Sequence, residues 1–299
     1  MRLDGRRTSR NIIDRRGHSS GGFNLGGIPR GVRLGGGGSI IGILIVAAII
    51  WLSGGNPLDL VTGNGFQNAN VINYEGNYTP SAHEEELAVF ASQILAGTED
   101  VWTEKFKEMG RVYTPPKMVF FTGSVNSACG GATAAVGPFY CSGDQTIYID
   151  LSFFDQMERE MGAGGDFAFA YVIAHEVGHH VQNLLGTLGQ AHSNMARMSQ
   201  TEANKLSVRT ELQADFYAGV WAYEDNRLFG SLEEGDIEEG LNAASKIGDD
   251  YLQKQARGYA QPETFNHGRS DQRVRWLRRG ASSGDLSQGD TFSPAYSSL

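Results

Sequence analysis

Residues 166–185 read Asp-Phe-Ala-Phe-Ala-Tyr-Val-Ile-Ala-His-Glu-Val-Gly-His-His-Val-Gln-Asn-Leu-Leu and are followed by a glycine. Apolar residues at helical spacing, with an aspartate before them and a glycine after them, predict one helix over this stretch. The centre of the helix contains the pattern His-Glu-x-x-His, at His175, Glu176 and His179. Three polar side chains inside an apolar helical run are the starting point for both the fold and the chemistry.

The spacing of the two histidines indicates a metal centre. Residues four apart on a helix lie on the same face, so His175 and His179 can direct two imidazoles at one ion. Glu176 lies one step round the helix, where its carboxylate can reach a water molecule on that ion. We therefore predict one zinc ion per chain, with Glu176 as the general base. His180 lies off this face, and we interpret it either as a structural residue or as one that supports the ligands from behind.

A catalytic zinc site requires a third protein ligand and one open position. The residues after His180 exclude a third histidine at the HExxHxxGxxH spacing. Downstream, Glu211 and Asp215 are four apart in a second predicted helix, at about residues 200–229, so they also share a face. We predict Glu211 as the third ligand, and Asp215 as the acceptor for the free N–H of a ligating histidine.

The surrounding pattern predicts an α+β fold in which a small sheet packs on helices. Strands are predicted at residues 118–121, 132–140 and 146–151. Further helices are predicted from Ser81, which begins a capping box, and at about residues 232–255 and 270–279. An extended substrate is expected to add as a strand beside the metal, with 146–151 as the receiving edge.

The beginning of the chain differs from the rest in charge and hydropathy. The net charge of the 299 residues is −9, but residues 1–38 hold eight arginines and two aspartates, so they carry +6 and the remainder carries −15. Residues 34–55 contain no charged side chain, and with Trp51 near the end they predict a single transmembrane helix. A core helix would have a polar face, and a signal peptide would have a shorter basic region and a clear cleavage site, so we favour an uncleaved anchor.

These observations divide the chain into five predicted parts. They are a disordered Arg- and Gly-rich arm (1–33), a transmembrane anchor (34–55), a linker (56–80), the metal-binding body (81–280) and a loose tail (281–299). The positive-inside rule places the arm in the cytoplasm and the body outside it. A nucleic-acid role for the arginines would require interleaved aromatic residues or a basic fold, and neither is present, so no nucleic-acid partner is expected.

The chain contains two cysteines, Cys129 and Cys141. Neither belongs to a CxxC pair or lies near the histidine motif, so in an extracytoplasmic domain they predict one disulfide. Such a bond would contribute about 3 kcal/mol in the chain-entropy account. Two buried free thiols are the alternative.

His175-Glu176-Val177-Gly178-His179 followed by Glu211-Leu212-Gln213-Ala214-Asp215 resembles the gluzincin pattern, HExxH followed by ExxAD. Over about residues 1–280 the chain is similar to the bacterial family of neutral zinc metallopeptidases, and the resemblance lies in residues 1–7, 14–17, 137–141, 147–150, 175–182 and 265–268. The resemblance implies a zincin-like fold and a bacterial, membrane-anchored zinc metallopeptidase, and it implies little about the substrate. Together with the orientation predicted from the arginines, it leads us to expect a single-pass protein of the bacterial inner membrane that acts on polypeptides in the extracytoplasmic space.

The same resemblance suggests His267 as a donor that stabilises the oxyanion, because related gluzincins carry a downstream histidine segment that approaches the site. A position near a helix N-cap, with no catalytic part, is the alternative for this residue. A catalytically silent, zinc-stabilised binding or regulatory domain is the alternative for the whole chain. Glu176 favours the enzyme, since a silent domain needs the ligands but not the base.

Overall fold

A computed structural model describes residues 1–18, 78–134 and 137–299. Its main sheet has four strands in the order β1-β2-β6-β5, and a separate hairpin is formed by β3 and β4. β1 and β6 both run parallel to β2, whereas β5 is antiparallel to β6. The strands are β1 (Ile12–Asp14), β2 (Lys117–Phe121), β3 (Ser124–Ser127), β4 (Gly130–Thr133), β5 (Phe139–Cys141) and β6 (Thr146–Asp150).

Eight α-helices of the described residues pack on this sheet and on one another. They are α1 (Ala82–Glu108), α2 (Ser152–Met161), α3 (Asp166–Leu185), α4 (Thr187–Met195), α5 (Gln200–Phe229), α6 (Asp236–Lys246), α7 (Asp249–Arg257) and α8 (Ser270–Ser283). The Ser81 hydroxyl accepts the Glu84 N–H at the start of α1, as its sequence predicts. The α+β class and the extents of α3 and α5 agree with the sequence-based expectation.

Two predicted elements differ from the structure. The strand predicted over 132–140 is wrong as one element, because β4 ends at Thr133 and β5 begins at Phe139. The helix predicted over 232–255 is two helices that meet at Gly248. A Cβ atom at Gly248 would lie 2.5 Å from the backbone nitrogen of Ser270, the first residue of α8. Only a glycine therefore leaves room for the start of α8 beside the junction of the two helices.

Helices α5 and α8 pack closely against each other. A Cβ atom on Gly280 of α8 would lie 2.1 Å from the carbonyl oxygen of Phe216, and one on Gly219 of α5 would lie 2.2 Å from that of Leu277. Two glycines that face each other therefore let the helix backbones touch. This contact fixes α8 against the helix that carries Glu211 and Asp215.

The C-terminal segment is ordered, so the prediction of a loose tail over 281–299 is wrong. Thr291 and Leu299 are buried. The Arg209 guanidinium donates to the carbonyl oxygens of Thr291 and Pro294, and Arg275 donates to that of Leu299. The segment is polar in composition, but its backbone carbonyl oxygens accept hydrogen bonds from arginines of α5 and α8 and so attach it to the body.

The N-terminal segment, residues 1–18, is also part of the folded body, so the prediction of a disordered arm over 1–33 is wrong for these residues. β1 pairs with β2 over Ile12–Asp14.

The predicted anchor at 34–55 lies outside the described residues, as does most of the predicted linker. Among the residues that the structure describes, no helix has the length and apolar character needed to cross a bilayer.

Candidate active site

The side chains of His175, His179 and Glu211 converge between α3 and α5. His175 Nε2 lies 3.2 Å from one Glu211 carboxylate oxygen, and His179 Nε2 lies 3.4 Å from the other. The two imidazole rings are nearly perpendicular, with centroids 4.8 Å apart. Three ligands at 2.0–2.1 Å from a tetrahedral zinc ion would be separated by about 3.3 Å, so the donor set fits such an ion.

The electrostatics of Glu211 also fit a cation. Burial raises the pKa of its carboxyl, but the His179 charge, the hydrogen bond with His175 and the contact with His179 outweigh burial and hold that pKa well below its usual range. The Oε1 atom of Glu211 is buried and has no hydrogen-bond partner within the described part of the chain. A buried, ionised oxygen that lacks a donor is suited to a metal ion.

A small-residue contact brings the two ligand-bearing helices together. A Cβ atom on Gly178 of α3 would lie 2.9 Å from the carbonyl oxygen of Ala214 in α5. Gly178 lies inside the His-Glu-x-x-His pattern and Ala214 lies between Glu211 and Asp215. The two motifs therefore supply both the polar groups of the site and the space that lets them meet.

Asp215 orients His175 from the side opposite Glu211. One Asp215 oxygen lies 2.7 Å from His175 Nδ1 and accepts the Tyr171 hydroxyl at 2.6 Å. Arg273 of α8 donates to both oxygens of the same carboxylate. Although burial raises the pKa of Asp215, Arg273 and His175 lower it to about 2. The ionised carboxylate keeps the proton on His175 Nδ1, which leaves Nε2 directed at Glu211.

Glu176 is buried beside the ligands. Burial raises the pKa of its carboxyl, while the charges of His179 and His175 and a hydrogen bond from the backbone of Tyr140 act in the opposite direction. Tyr140 belongs to β5, so the Glu176 carboxylate faces this strand of the sheet. A raised pKa suits a carboxylate that must take up a proton near neutral pH.

The receiving edge for an added strand differs from the prediction. The strand predicted over 146–151 corresponds to β6. It pairs with β2 on one side and with β5 on the other, so it has no free edge. β5 pairs only with β6 among the described residues. The free edge nearest Glu176 is therefore β5.

His267 lies near the site and is held by Asp249. Its backbone N–H and Nδ1 lie 2.7 and 3.2 Å from the two Asp249 oxygens. Burial lowers the pKa of His267, but Asp249 outweighs it and the pKa is raised. The ring is close enough for its charge to contribute to the low pKa of Glu211. The nearby Tyr217 of α5 packs against Trp102.

Two glutamines that sequence reasoning missed support His179. His179 Nδ1 lies 3.0 Å from Gln182 Oε1, and the Gln182 amide donates to Gln213 Oε1. Gln213 in turn donates to the carbonyl oxygen of Gly289 in the C-terminal segment. The only signal for this chain of contacts is the position of Gln182 three residues after His179, on the same helix.

His180 points away from the ligands, as its position predicts. Its Nε2 donates to the Thr114 carbonyl oxygen at 2.7 Å, and its Nδ1 lies 2.9 Å from the Tyr140 hydroxyl. Burial lowers the pKa of this histidine to about 4, so the ring is neutral and accepts the hydroxyl proton. His180 therefore ties β5 to the helix that carries the ligands.

The structure joins Cys129 to Cys141 in a disulfide. Cys129 lies in the turn between β3 and β4, and Cys141 is the last residue of β5. The bond therefore attaches the hairpin to the strand that borders Glu176.

Comparison with known proteins identifies the family. The sequence pattern of the family described as "Putative neutral zinc metallopeptidase" matches residues 1–292. The chain belongs to this family. The match includes the N-terminal segment as well as α3 and α5, which carry the candidate metal ligands.

Bacterial relatives share most of the chain. An uncharacterized protein of Escherichia coli K12, YpfJ, is 47% identical over 292 residues, which cover 98% of this chain and 99% of the relative. An uncharacterized protein of Mycobacterium tuberculosis H37Rv, Rv2575, is 46% identical over 193 residues, covering 61% of this chain and 64% of the relative. No solved structure matches the chain.

Proposed function

We propose that the chain hydrolyses peptide bonds, with His175, His179 and Glu211 as ligands of one zinc ion and Glu176 as the general base. The observation that carries the proposal is the convergence of three ligand atoms, all within 4.8 Å of one another, beside a buried carboxylate on the next residue of the same helix. Membership of a zinc metallopeptidase family supports the same chemistry.

The proton transfers are assigned to Glu176. A zinc ion in this site would supply a Lewis acid that lowers the pKa of a water molecule to about 7. Glu176 accepts a proton from the attacking water as the new C–O bond forms. It then delivers that proton to the leaving nitrogen as the C–N bond breaks. Burial of Glu176 favours this role because it raises the pKa of the carboxyl.

His267 is the proposed donor to the oxyanion that develops on the peptide carbonyl. Asp249 holds Nδ1 of its ring and raises its pKa, which favours the doubly protonated imidazole. That form has an Nε2–H available to donate to a negatively charged oxygen. In this mechanism Asp249 orients the His267 ring and favours its protonated form.

The substrate is proposed to be an extended polypeptide that lies along β5. Backbone groups on the free side of this strand can form a ladder with a peptide. The Tyr140 backbone contacts Glu176, so a peptide bond on that ladder would lie near the base. The disulfide and the His180–Tyr140 contact would keep the strand in place.

We also propose that the peptidase domain acts outside the cytoplasm, attached to a membrane through residues 34–55. The disulfide supports an oxidising compartment. The uncharged apolar composition of residues 34–55 supports the attachment. Its substrates would then be polypeptides of the cell envelope.

Glu176→Gln tests the proposed function. We expect the purified full-length variant to retain one zinc per chain and to lose cleavage of a proteome-derived peptide library, measured by mass spectrometry. Glu202→Gln, at an exposed glutamate of α5, is the matched control and should cleave normally. Equal cleavage by the Glu176→Gln variant and the unmodified protein would reject Glu176 as the base. Zinc binding without cleavage by the unmodified protein would favour the silent regulatory domain.

A further inference from the structure

The arginines of the N-terminal segment are bound by carboxylates of the folded body. Arg6 makes two hydrogen bonds to Asp225 of α5, at 2.8 and 3.2 Å. The Asp225 side chain is 1% exposed, and the Phe229 ring lies 3.8 Å from the guanidinium carbon. Arg6 thus occupies a site with a buried counter-ion and an aromatic face, where a planar guanidinium fits better than an ammonium group.

Helix α1 is shaped around this pair. A Cβ atom on Gly97 would lie 2.7 Å from an Asp225 oxygen and 2.8 Å from a terminal nitrogen of Arg6. The glycine leaves the space that the ion pair fills. Helices α1 and α5, which follow residues 34–55 in sequence, therefore both contribute to the site of Arg6, which precedes those residues.

The contacts continue along the segment. Arg7 pairs with Glu99 and Asp100 of α1, at 2.9 and 2.6 Å. The Asn11 amide donates to Glu99 at 2.8 Å. Arg16 pairs with Glu85 near the start of α1 at 2.9 Å. Part of the positive charge of the N-terminal segment is therefore neutralised by ion pairs with carboxylates of the body.

The two ends of the intervening segment adjoin. A Cβ atom built on Gly17 would lie 2.2 Å from the Cβ of Tyr78. Arg16 and Tyr78 both contact Glu84. Residues 17 and 78, near the ends of two described parts of the chain, thus lie within one small area of the fold.

We propose that residues 1–18 and residues 78–299 fold as one unit on the same side of the membrane. The segment between them then begins and ends on that side, and the apolar stretch at 34–55 does not act as a single crossing. The alternative, an N-terminal segment across the bilayer from the body, would leave Asp225 buried without its counter-ion and β2 without its parallel partner. This inference rests on the proposed membrane attachment but is independent of the proposed peptidase activity.

Labelling of single introduced cysteines tests the shared compartment. Thr8→Cys and Ser287→Cys place exposed thiols in the two parts, and the native cysteines are already joined. Bacterial cells that express each full-length variant are treated with a membrane-impermeant maleimide before and after lysis. We expect both positions to be labelled under the same condition. Labelling of one position in intact cells and of the other only after lysis would overturn the proposal.

Charge reversal tests the contact itself in the full-length protein. Arg6→Asp and Asp225→Arg are each expected to lower the thermal midpoint by several degrees, and the double variant is expected to recover part of the loss. Arg10→Asp, at an exposed arginine of the same segment, is the control and should leave the midpoint unchanged. An Arg6→Asp variant that behaves like the control would also overturn the proposal.

Discussion

Arg273 binds both carboxylate oxygens of Asp215, with its Nε and Nη2 atoms each 2.9 Å from their acceptors. Both side chains are buried, at 3% and 0% exposure. One of the same Asp215 oxygens lies 2.7 Å from Nδ1 of His175. A guanidinium on α8 thus controls the orientation of a ligand on α3 through a carboxylate on α5.

Arg273→Gln is expected to weaken zinc binding. Loss of the guanidinium removes both hydrogen bonds that fix Asp215, so His175 is less well oriented, and groups that orient ligands typically contribute about 10–100-fold in metal affinity. Chelator competition on the variant and the unmodified protein measures this change. Arg273→Lys should recover little, because an ammonium cannot make the two-pronged contact.

Arg278→Gln, at an exposed arginine of the same helix, is the control for this measurement. An Arg273→Gln variant with unchanged zinc affinity but a lower thermal midpoint in the metal-free state would show that Arg273 only stabilises the fold. A lower affinity together with normal folding would support its role in positioning His175.

The convergence of the candidate ligands could be predicted because their spacing is local. His175, His179 and Glu176 occupy one helix, and Glu211 and Asp215 occupy another, so a four-residue period shows which side chains share a face. The close contact between the two helices was harder to predict from the sequence. Gly178 and Ala214 are small residues in separate motifs, and neither alone indicates that the other packs against it.

The N-terminal segment shows what the sequence could not reveal. The sequence alone predicts that its arginines flank a membrane span on the cytoplasmic side, because charge composition does not identify a distant partner. Asp225 and Glu99, which bind Arg6 and Arg7, are more than 90 residues away. For the same reason, the sequence does not show that the C-terminal segment is packed against the body. Its backbone carbonyl oxygens accept hydrogen bonds from Arg209 and Arg275, which lie in other elements.

Gly280→Ala is expected to destabilise the protein. The new methyl group would lie 2.1 Å from the Phe216 carbonyl oxygen, so α5 and α8 must separate, and overpacking of this kind costs about 1–3 kcal/mol or more. Gly189→Ala is the control, since that helical glycine has no atom within 4 Å of the added Cβ, and alanine should stabilise α4 there by about 0.4–1 kcal/mol. Urea unfolding of both variants measures the difference, and equal midpoints would contradict the close helix contact.

Removal of the disulfide is expected to affect cleavage more than zinc binding. The bond joins residues 12 apart in sequence and holds Cys141, which follows Tyr140 at the edge that borders Glu176. Cys129→Ser/Cys141→Ser should lose about 3 kcal/mol of unfolding free energy. Its zinc content should stay near one per chain, because the ligands lie on α3 and α5. Loss of zinc in parallel with cleavage would show that the bond supports the whole domain rather than the strand.

His267→Ala is expected to lower kcat by about 10²–10³-fold, the usual effect of removing one oxyanion donor, while zinc content stays unchanged. The pH profile provides a second readout. Asp249 raises the pKa of His267, so the protonated ring persists to higher pH than a free histidine, and activity that depends on it falls as pH rises through that pKa. The alkaline fall should be absent in His267→Ala and shifted to lower pH in Asp249→Asn. His83→Ala, at an exposed histidine of α1, is the control and should keep the full profile. An unchanged alkaline fall in His267→Ala would assign it to another group and remove His267 from the mechanism.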